Sequence, residues 1–287
     1  MLLYLDFINK VAPGDWLQLA ATPKDAMPTY STQALVLKKT KLGETDLIIT
    51  LFSAEGRQVK AVAKGARKPG SRLGAHLELY SVVDLLLHTG KSLDIVTEVR
   101  TVTSNNACRK DVEHSAGAAV IVELLEKASR DGTVEERLFP LSVEALRCVG
   151  EVGEEGIPLI VGAAILKVVA QLGFRPALRE CAVCGTPRNG DARAGADFSC
   201  SQGGVLCEEC CSGEAHAVSE PIDAATLTWL QACLSTRFAD LACYCGADYA
   251  RIGARLLLLS QEWMQTHLLI GLKSLDFLQG FIAPGKG

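Results

Sequence analysis

The chain has 287 residues, of which 48% are hydrophobic, and a formal net charge of −4. This is enough apolar material for one large domain or two to three small ones, and it excludes a disordered chain. No apolar run reaches the roughly 18 residues of a membrane span, and the N-terminus lacks the basic start of a signal peptide, so we expect a cytoplasmic protein. Eleven cysteines in a reducing compartment predict metal ligands and buried thiols, and not a disulfide scaffold.

Residues 1–30 differ from the rest of the chain because they contain three prolines and no periodic apolar pattern. We expect an extension outside the folded domains. Two interpretations remain, a disordered arm or an over-extended gene start with Met27 as the true initiator.

Residues 31–103 show the pattern of short strands separated by turns. Five strands in about 70 residues are typical of a small closed barrel of the OB type, and an SH3-like barrel would also fit. The five runs, rich in Val, Ile, Leu and Thr, read QALVLKKT, DLIITLFS, RQVKAVAKG, YSVVDLLLHTG and LDIVTEVRTV.

This strand-rich segment is basic although the chain is acidic. Residues 31–100 hold eleven Lys and Arg against seven Asp and Glu, so they carry +4 and the remainder carries −8. Six cations and no acid fall within residues 57–72, and such a surface on an OB barrel suits the phosphate backbone of a nucleic acid. With two lysines of the first strand, the candidate DNA-binding residues are Lys38, Lys39, Arg57, Lys60, Lys64, Arg67, Lys68 and Arg72.

OB folds that grip single strands usually stack bases on aromatic side chains. The basic segment offers Phe52 and Tyr80, and both fit a barrel core equally well. We therefore expect electrostatic binding without sequence preference that tolerates single and double strands.

From residue 104 the pattern becomes helical, with apolar residues at i, i+3 and i+4 spacing. It predicts a helical domain over residues 104–180 and 212–280, followed by a tail at 281–287. Glu123 and Lys127 are spaced to pair across one helical turn, and the last helix is predicted to run unbroken from residue 249 to 278. The acidic composition of this part favours contacts with proteins.

Two C-x₂-C pairs lie in an insert at residues 181–211, CAVCG and CEEC. Four thiolates on two tight turns are what tetrahedral Zn²⁺ needs, and paired motifs favour one structural zinc over an iron–sulfur cluster. Gly185 lets the first turn form. The predicted ligands are Cys181, Cys184, Cys207 and Cys210, with Cys200 and Cys211 as rivals, and the predicted core thiols are Cys108, Cys148, Cys233, Cys243 and Cys245.

The sequence carries no catalytic signature. The five histidines are scattered, and the GKS at residues 90–92 lacks the upstream glycine of a P-loop because Leu85 stands there. We interpret the GKS as a hairpin turn and expect a binding protein, not an enzyme.

Three regions carry a family resemblance, in order between about residues 31 and 280. They read LVLKKTKLGETDLIITLFSAEGRQVKAVAKGARKPGSRL in the barrel, LGFRPALRECAVCG with FSCSQGGVLCEEC around the cysteines, and HLLIGLKSLDFL near the C-terminus. On these motifs the chain resembles the RecO family of bacterial recombination and DNA-repair mediators. The resemblance implies an α+β multidomain protein: an N-terminal OB-type β-barrel, then an all-α helical domain with an inserted zinc ribbon.

The resemblance also implies a non-catalytic, nucleoid-associated function. Such proteins bind single- and double-stranded DNA, anneal complementary strands, pair with RecR and contact the tail of single-stranded DNA-binding protein, and so help RecA load onto coated strands. That tail is acidic and ends in an apolar residue, so its pocket should combine apolar helix faces with cations. The candidates, between which the sequence does not decide, are Arg175, Arg179, Arg251 and Arg255.

Three other functions fit parts of the sequence. An OB-fold RNA-binding or ribosome-associated zinc protein would use the same basic barrel. A zinc-dependent hydrolase would require an open metal position. An adaptor would use the basic stretch to bind an acidic partner protein.

Overall fold

Five strands near the N-terminus close into a barrel in a computed structural model that describes residues 28–129, 132, 134–188, 195–212, 218–244 and 248–282. The strand order is β1-β2-β3-β5-β4, and β4 pairs back with β1. Only β3 and β5 run parallel among these pairs. The predicted OB-type barrel is confirmed. Its elements are β1 (Thr29–Leu42), β2 (Asp46–Ser53), β3 (Gln58–Ala63), α1 (Arg72–His76), β4 (Val82–His88) and β5 (Asp94–Thr103).

The helical part begins after a 3₁₀ turn at Asn106–Arg109. It is built from helices as predicted, and none of the described helices has both the length and the apolar content to cross a bilayer. A small three-stranded sheet of order β7-β6-β8 interrupts them. The elements are α2 (Val112–Ala128), α3 (Leu138–Glu151), α4 (Ile157–Gln171), β6 (Ala196–Ser199), β7 (Gly204–Leu206), α5 (Glu208–Ser212), β8 (Glu220–Ile222), α6 (Ala224–Ser235), α7 (Phe238–Ala242), α8 (Tyr249–Leu268) and α9 (Lys273–Ile282).

Some predicted boundaries differ from the structure. β1 begins at Thr29, inside the predicted extension 1–30. Residues 1–27 of that extension lie outside the described residues, so the hypothesis that Met27 is the true initiator is not tested. β8 pairs with β6, so the sheet of the cysteine insert continues past residue 211. The predicted single helix from 249 to 278 is wrong, because Leu269 adopts a left-handed conformation (φ 54°) that ends α8.

Helix α4 forms the centre of the helical core. Twelve of its fifteen residues are buried, and they lie on all sides of the helix. A helix that is apolar all round must be covered on every face. Helices α2, α3, α6, α7 and α8 supply that cover.

The barrel packs on the helical core through the outer face of its strands. Phe52 and Tyr80 belong to the same buried cluster as Leu124 and Leu125 of α2, and they are 0% and 6% exposed. The Tyr80 hydroxyl donates to the carbonyl of Ser115 at 3.3 Å. Both aromatic rings are therefore part of the domain junction and are not free to stack on bases.

Helix α9 is held against α2 by a carboxylate. Glu123 accepts hydrogen bonds from the backbone N–H groups of Lys273 (3.2 Å) and Ser274 (2.9 Å), and it pairs with Lys127 at 2.9 Å as predicted. Burial opposes ionisation of Glu123, but the Ser274 hydroxyl, the Lys127 ammonium and the N–H groups outweigh it and lower its pKa to about 2. The start of α9 is thus capped by a side chain from another helix.

We expect Glu123→Gln to destabilise the protein by roughly 1 kcal/mol at pH 7, because this partly exposed, charge-assisted bond is weakened. The carboxylate has a lowered pKa, so its contribution is complete above its usual pKa of 4.5 and is lost as the pH falls towards 2. The melting temperatures of the variant and the natural protein should converge across that window. The exposed Glu136→Gln serves as the control, and an unchanged gap between pH 4.5 and 3 would contradict the assignment.

Candidate nucleic-acid surface and metal centre

The register of the barrel brings basic side chains onto one outer face. Lys38 pairs with Thr50, and Thr50 pairs with Lys60. Directly paired residues share a face of the sheet, so Lys38, Thr50 and Lys60 lie on the same outer face. Because side chains alternate along a strand, Val62 and then Lys64, the residue after β3, follow Lys60 on that face. Lys60 and Lys64 are exposed to solvent.

The basic loop that follows β3 is fastened to the turn between β1 and β2. The N–H of Gly65 donates to the Asp46 carboxylate at 2.8 Å, and this bond is the main reason why the pKa of Asp46 is lowered. Arg67 donates its backbone N–H to the Thr45 carbonyl at 2.8 Å and its guanidinium to the Gly43 carbonyl at 3.0 Å. Gly65 has a φ of 67°, a left-handed conformation that a side chain would strain.

The cations of this stretch are exposed, and the acids nearest to them, Asp46 and Glu55, interact with them only at longer range. No salt bridge joins any of the six to an acid in the described part of the chain, whereas other barrel cations are paired. Uncompensated positive charge on a surface attracts polyanions. The six residues are Arg57, Lys60, Lys64, Arg67, Lys68 and Arg72.

The two predicted lysines of β1 differ from these six. Lys38 pairs with Glu126 of α2 at 3.2 Å, although its side chain stays 52% exposed. Lys39 lies on the inner face of the sheet and pairs with Glu78 at 2.8 Å. Lys39 is therefore on the side opposite the basic face.

A groove of about 590 Å³ extends the basic face to the domain junction. Arg57, Lys60 and Lys91 line it from the barrel, and Ser129 and Val134 line it from the helical part. Lys91 belongs to the GKS between β4 and β5, which the structure confirms as a connection between strands. Lys91 is not recognisable from the sequence as part of this face, because the parallel pairing of β3 with β5 is what brings this turn beside Lys60.

The four predicted metal ligands come together in the insert. The Sγ atoms of Cys181, Cys184, Cys207 and Cys210 all lie within 4.8 Å of one another, and those of Cys184 and Cys207 are 3.7 Å apart. Sulfurs at about 2.3 Å from a tetrahedral Zn²⁺ are about 3.8 Å apart. The cluster therefore has the dimensions to hold one zinc ion.

The electrostatics of the cluster also suit a cation. Burial raises the pKa of the Cys181 thiol, but backbone N–H groups of Cys184 and Cys207 outweigh it and bring the pKa down to about 6. The neighbouring Cys207 and Cys184 side chains raise the pKa of Cys210 to about 12. Four thiolates side by side repel one another, and a dication relieves that repulsion. Gly185 has the positive φ (72°) that the first turn needs.

The rival cysteines stand apart from this cluster. Cys200 is buried in the core, and burial, followed by Glu262, raises its pKa to about 12. Cys211 lies 3.4 Å from the Ser219 hydroxyl.

Of the predicted core thiols, Cys108, Cys148 and Cys233 are buried as expected. Cys243 is exposed at the C-terminal cap of the short helix α7, so that prediction is wrong. Cys245 lies outside the described residues.

Two of the four candidate tail-binding arginines share a pocket. Arg175 and Arg179 line a cavity of about 480 Å³ with Leu178 and Leu234. The remaining two candidates are engaged elsewhere. Arg251 pairs with Asp248 at 3.4 Å, and Arg255 pairs with Glu220 at 3.1 Å.

Comparison with known proteins gives consistent matches along the chain. Residues 27–105 match the family "Recombination protein O N terminal", and residues 109–276 match "Recombination protein O C terminal". A "DNA repair protein RecO" of Desulfitobacterium hafniense is 37% identical over 203 residues, which cover 70% of this chain and 72% of that protein. A second protein of the same name, from Rubrobacter xylanophilus, is 33% identical over 224 residues, which cover 78% of this chain and 88% of that protein.

Proposed function

The chain belongs to the RecO family, and we propose that it is a non-catalytic mediator of DNA recombination and repair. It binds single- and double-stranded DNA, anneals complementary strands and, with RecR, helps RecA load onto strands coated by single-stranded DNA-binding protein. It acts in the cytoplasm, at the nucleoid. The observation that carries the proposal is the row of exposed cations along β3 and the loop after it, none of which forms a salt bridge with a described residue.

These cations support a mechanism in which the strand is held by its phosphates. The distance from Arg57 to Lys64, seven residue steps along the extended chain, is about 23 Å, enough for several nucleotides. Since Phe52 and Tyr80 are buried, neither ring captures a base on this face. The Watson–Crick edges stay free to pair with a second strand. Neutralised phosphates also repel that strand less.

We expect Lys60→Ala with Lys64→Ala to reduce the slope of log affinity against log salt by about 1.4 for single strands, since each lost phosphate contact removes about 0.7. The loss should be the same for different sequences, because phosphate contacts carry no base information. Titration of labelled oligonucleotides between 50 and 200 mM salt measures the slope, and the same variant should anneal strands more slowly.

The matched control for this experiment is Arg100→Ala. Arg100 is also an exposed barrel cation, but it pairs with Asp84 at 2.7 Å in a separate groove. An unchanged salt slope in the Lys60 and Lys64 variant, or an equal change in the control, would refute the DNA surface.

We further propose that the pocket of Arg175 and Arg179 receives the acidic tail of single-stranded DNA-binding protein. Its two guanidinium groups can pair with carboxylates, while Leu178 and Leu234 contact the apolar end. Contact with the tail would bring the basic face of the barrel to DNA that the tailed protein already covers.

Replacing Arg175 and Arg179 with Ala should weaken binding of a short acidic peptide with an apolar C-terminal residue by about tenfold or more. Fluorescence anisotropy measures the affinity, and binding of bare oligonucleotides should not change. Arg251→Ala is the control. A larger effect of Arg251→Ala than of the double variant would place the tail elsewhere.

Zinc binding by Cys181, Cys184, Cys207 and Cys210 completes the proposal. The site offers four protein ligands and no open position, which is typical of a structural ion that folds its surroundings. The ion would hold together an insert whose strands are only three or four residues long.

Cys184→Ser and Cys210→Ser should each lose most of the bound zinc, measured by elemental analysis, while Cys211→Ser should keep it. Hydrogen exchange should show faster opening of β6 and β7 in the first two variants. Protection of α4 should persist, because its apolar cover does not depend on the ion. Full zinc content in both ligand variants would show that the ligand set is wrong.

A further inference from the structure

A second surface, in the helical part, combines an apolar pocket with acidic side chains, so its charge is opposite to that of the basic barrel face. The pocket has a volume of about 560 Å³ and lies where the first turns of α2, α4 and α8 meet the end of α9. Apolar side chains of Pro158, Leu278 and Ile282 line it. We call it the acidic pocket, because its polar rim includes Glu113, Glu154 and Glu155.

The carboxylates of this rim are not neutralised by direct ion pairs within the described part of the chain. Arg251 also lines the pocket, but it pairs with Asp248. Glu113 and Glu154 place carboxylate oxygens within 4.8 Å of each other and of Asp111. Acids near helix N-termini are favoured by the helix dipole, so the rim alone does not define a site.

An exposed aromatic pair beside the pocket is the second observation. Phe277 and Phe281 are one turn apart on α9, 56% and 45% exposed, with ring centroids 5.1 Å apart. Phe281 also lines the pocket. Val112 of α2, which precedes the rim residue Glu113 in the chain, is 53% exposed. Exposed large apolar groups gathered around a cavity mark a protein contact, and aromatic faces attract cations.

We propose that the acidic pocket docks a basic segment of a partner protein, with an apolar side chain inside the pocket and Lys or Arg side chains against the rim and the Phe277–Phe281 pair. The charge of the rim repels nucleic acid, and it equally repels an acidic tail. The surface therefore serves a partner different from those of the basic barrel face and of the Arg175 pocket.

An acidic groove on the barrel provides a comparison. It is lined by Glu55, Asp84 and Glu98. There Glu55 accepts a hydrogen bond from Thr32 at 2.8 Å, and Asp84 pairs with Arg100. Two of its three acids thus already have a hydrogen-bond or salt-bridge partner, and none of its lining residues is aromatic. It is a matched control for simple attraction between opposite charges.

The test uses the full chain and a fluorescein-labelled helical peptide of Lys and Leu at i, i+3, i+4 spacing, followed by anisotropy near physiological salt. Phe281→Ala, and separately Glu154→Gln with Glu155→Gln, should each weaken binding by about fivefold to tenfold. The control Glu55→Gln with Glu98→Gln should leave it unchanged. A peptide with Ser in place of Leu should bind more weakly than the parent.

Equal weakening by the barrel control, or equal binding of the Ser peptide, would overturn the proposal, because either result shows only general charge attraction. Sedimentation that shows a dimer abolished by Phe281→Ala would also overturn it, in favour of a second copy as the occupant. Phe281 is exposed, so the variant should fold, and melting temperature and oligonucleotide binding verify this independently of the peptide result.

Discussion

The burial of α4 is the constraint on which the rest of the structure depends. Its side chains must be covered all round, and each large apolar one removed from water contributes roughly 1.5–3 kcal/mol. Lys167 is the only charged residue of α4, and its ammonium group donates a hydrogen bond to the carbonyl of Thr236 at 2.8 Å. The ammonium also lies over the ring of Phe238, and burial lowers the pKa of Lys167. The helices fixed around α4 then set the places of both the barrel and the cysteine insert.

The barrel uses its aromatic side chains for attachment. Phe52 and Tyr80 fill the junction with α2, so the face that remains open carries mainly charge. Binding by charge is less selective than binding by stacked bases, which suits contact with strands of any sequence. The packing of the domain junction and the chemistry of the open face are therefore linked through the same two residues.

Much of this arrangement could be predicted from the sequence because the signals are local. Alternating apolar runs and paired cysteines specify strands and a metal cluster without knowledge of distant contacts. The position of Lys39 could not be predicted in this way. A bulge between Val36 and Lys38 reverses the alternation of β1, so Lys38 faces outwards and Lys39 inwards. The left-handed Leu269 and the approach of Lys91 to Lys60 likewise depend on long-range packing.

The separation of charge along the chain has a consequence for motion in solution. The basic barrel segment and the acidic remainder give the molecule a permanent electric dipole. Near a polyanion, such a dipole experiences a torque before any contact forms, so the barrel turns towards the polymer and the acidic helices turn away. Encounters would then begin in a favourable orientation more often than random diffusion allows.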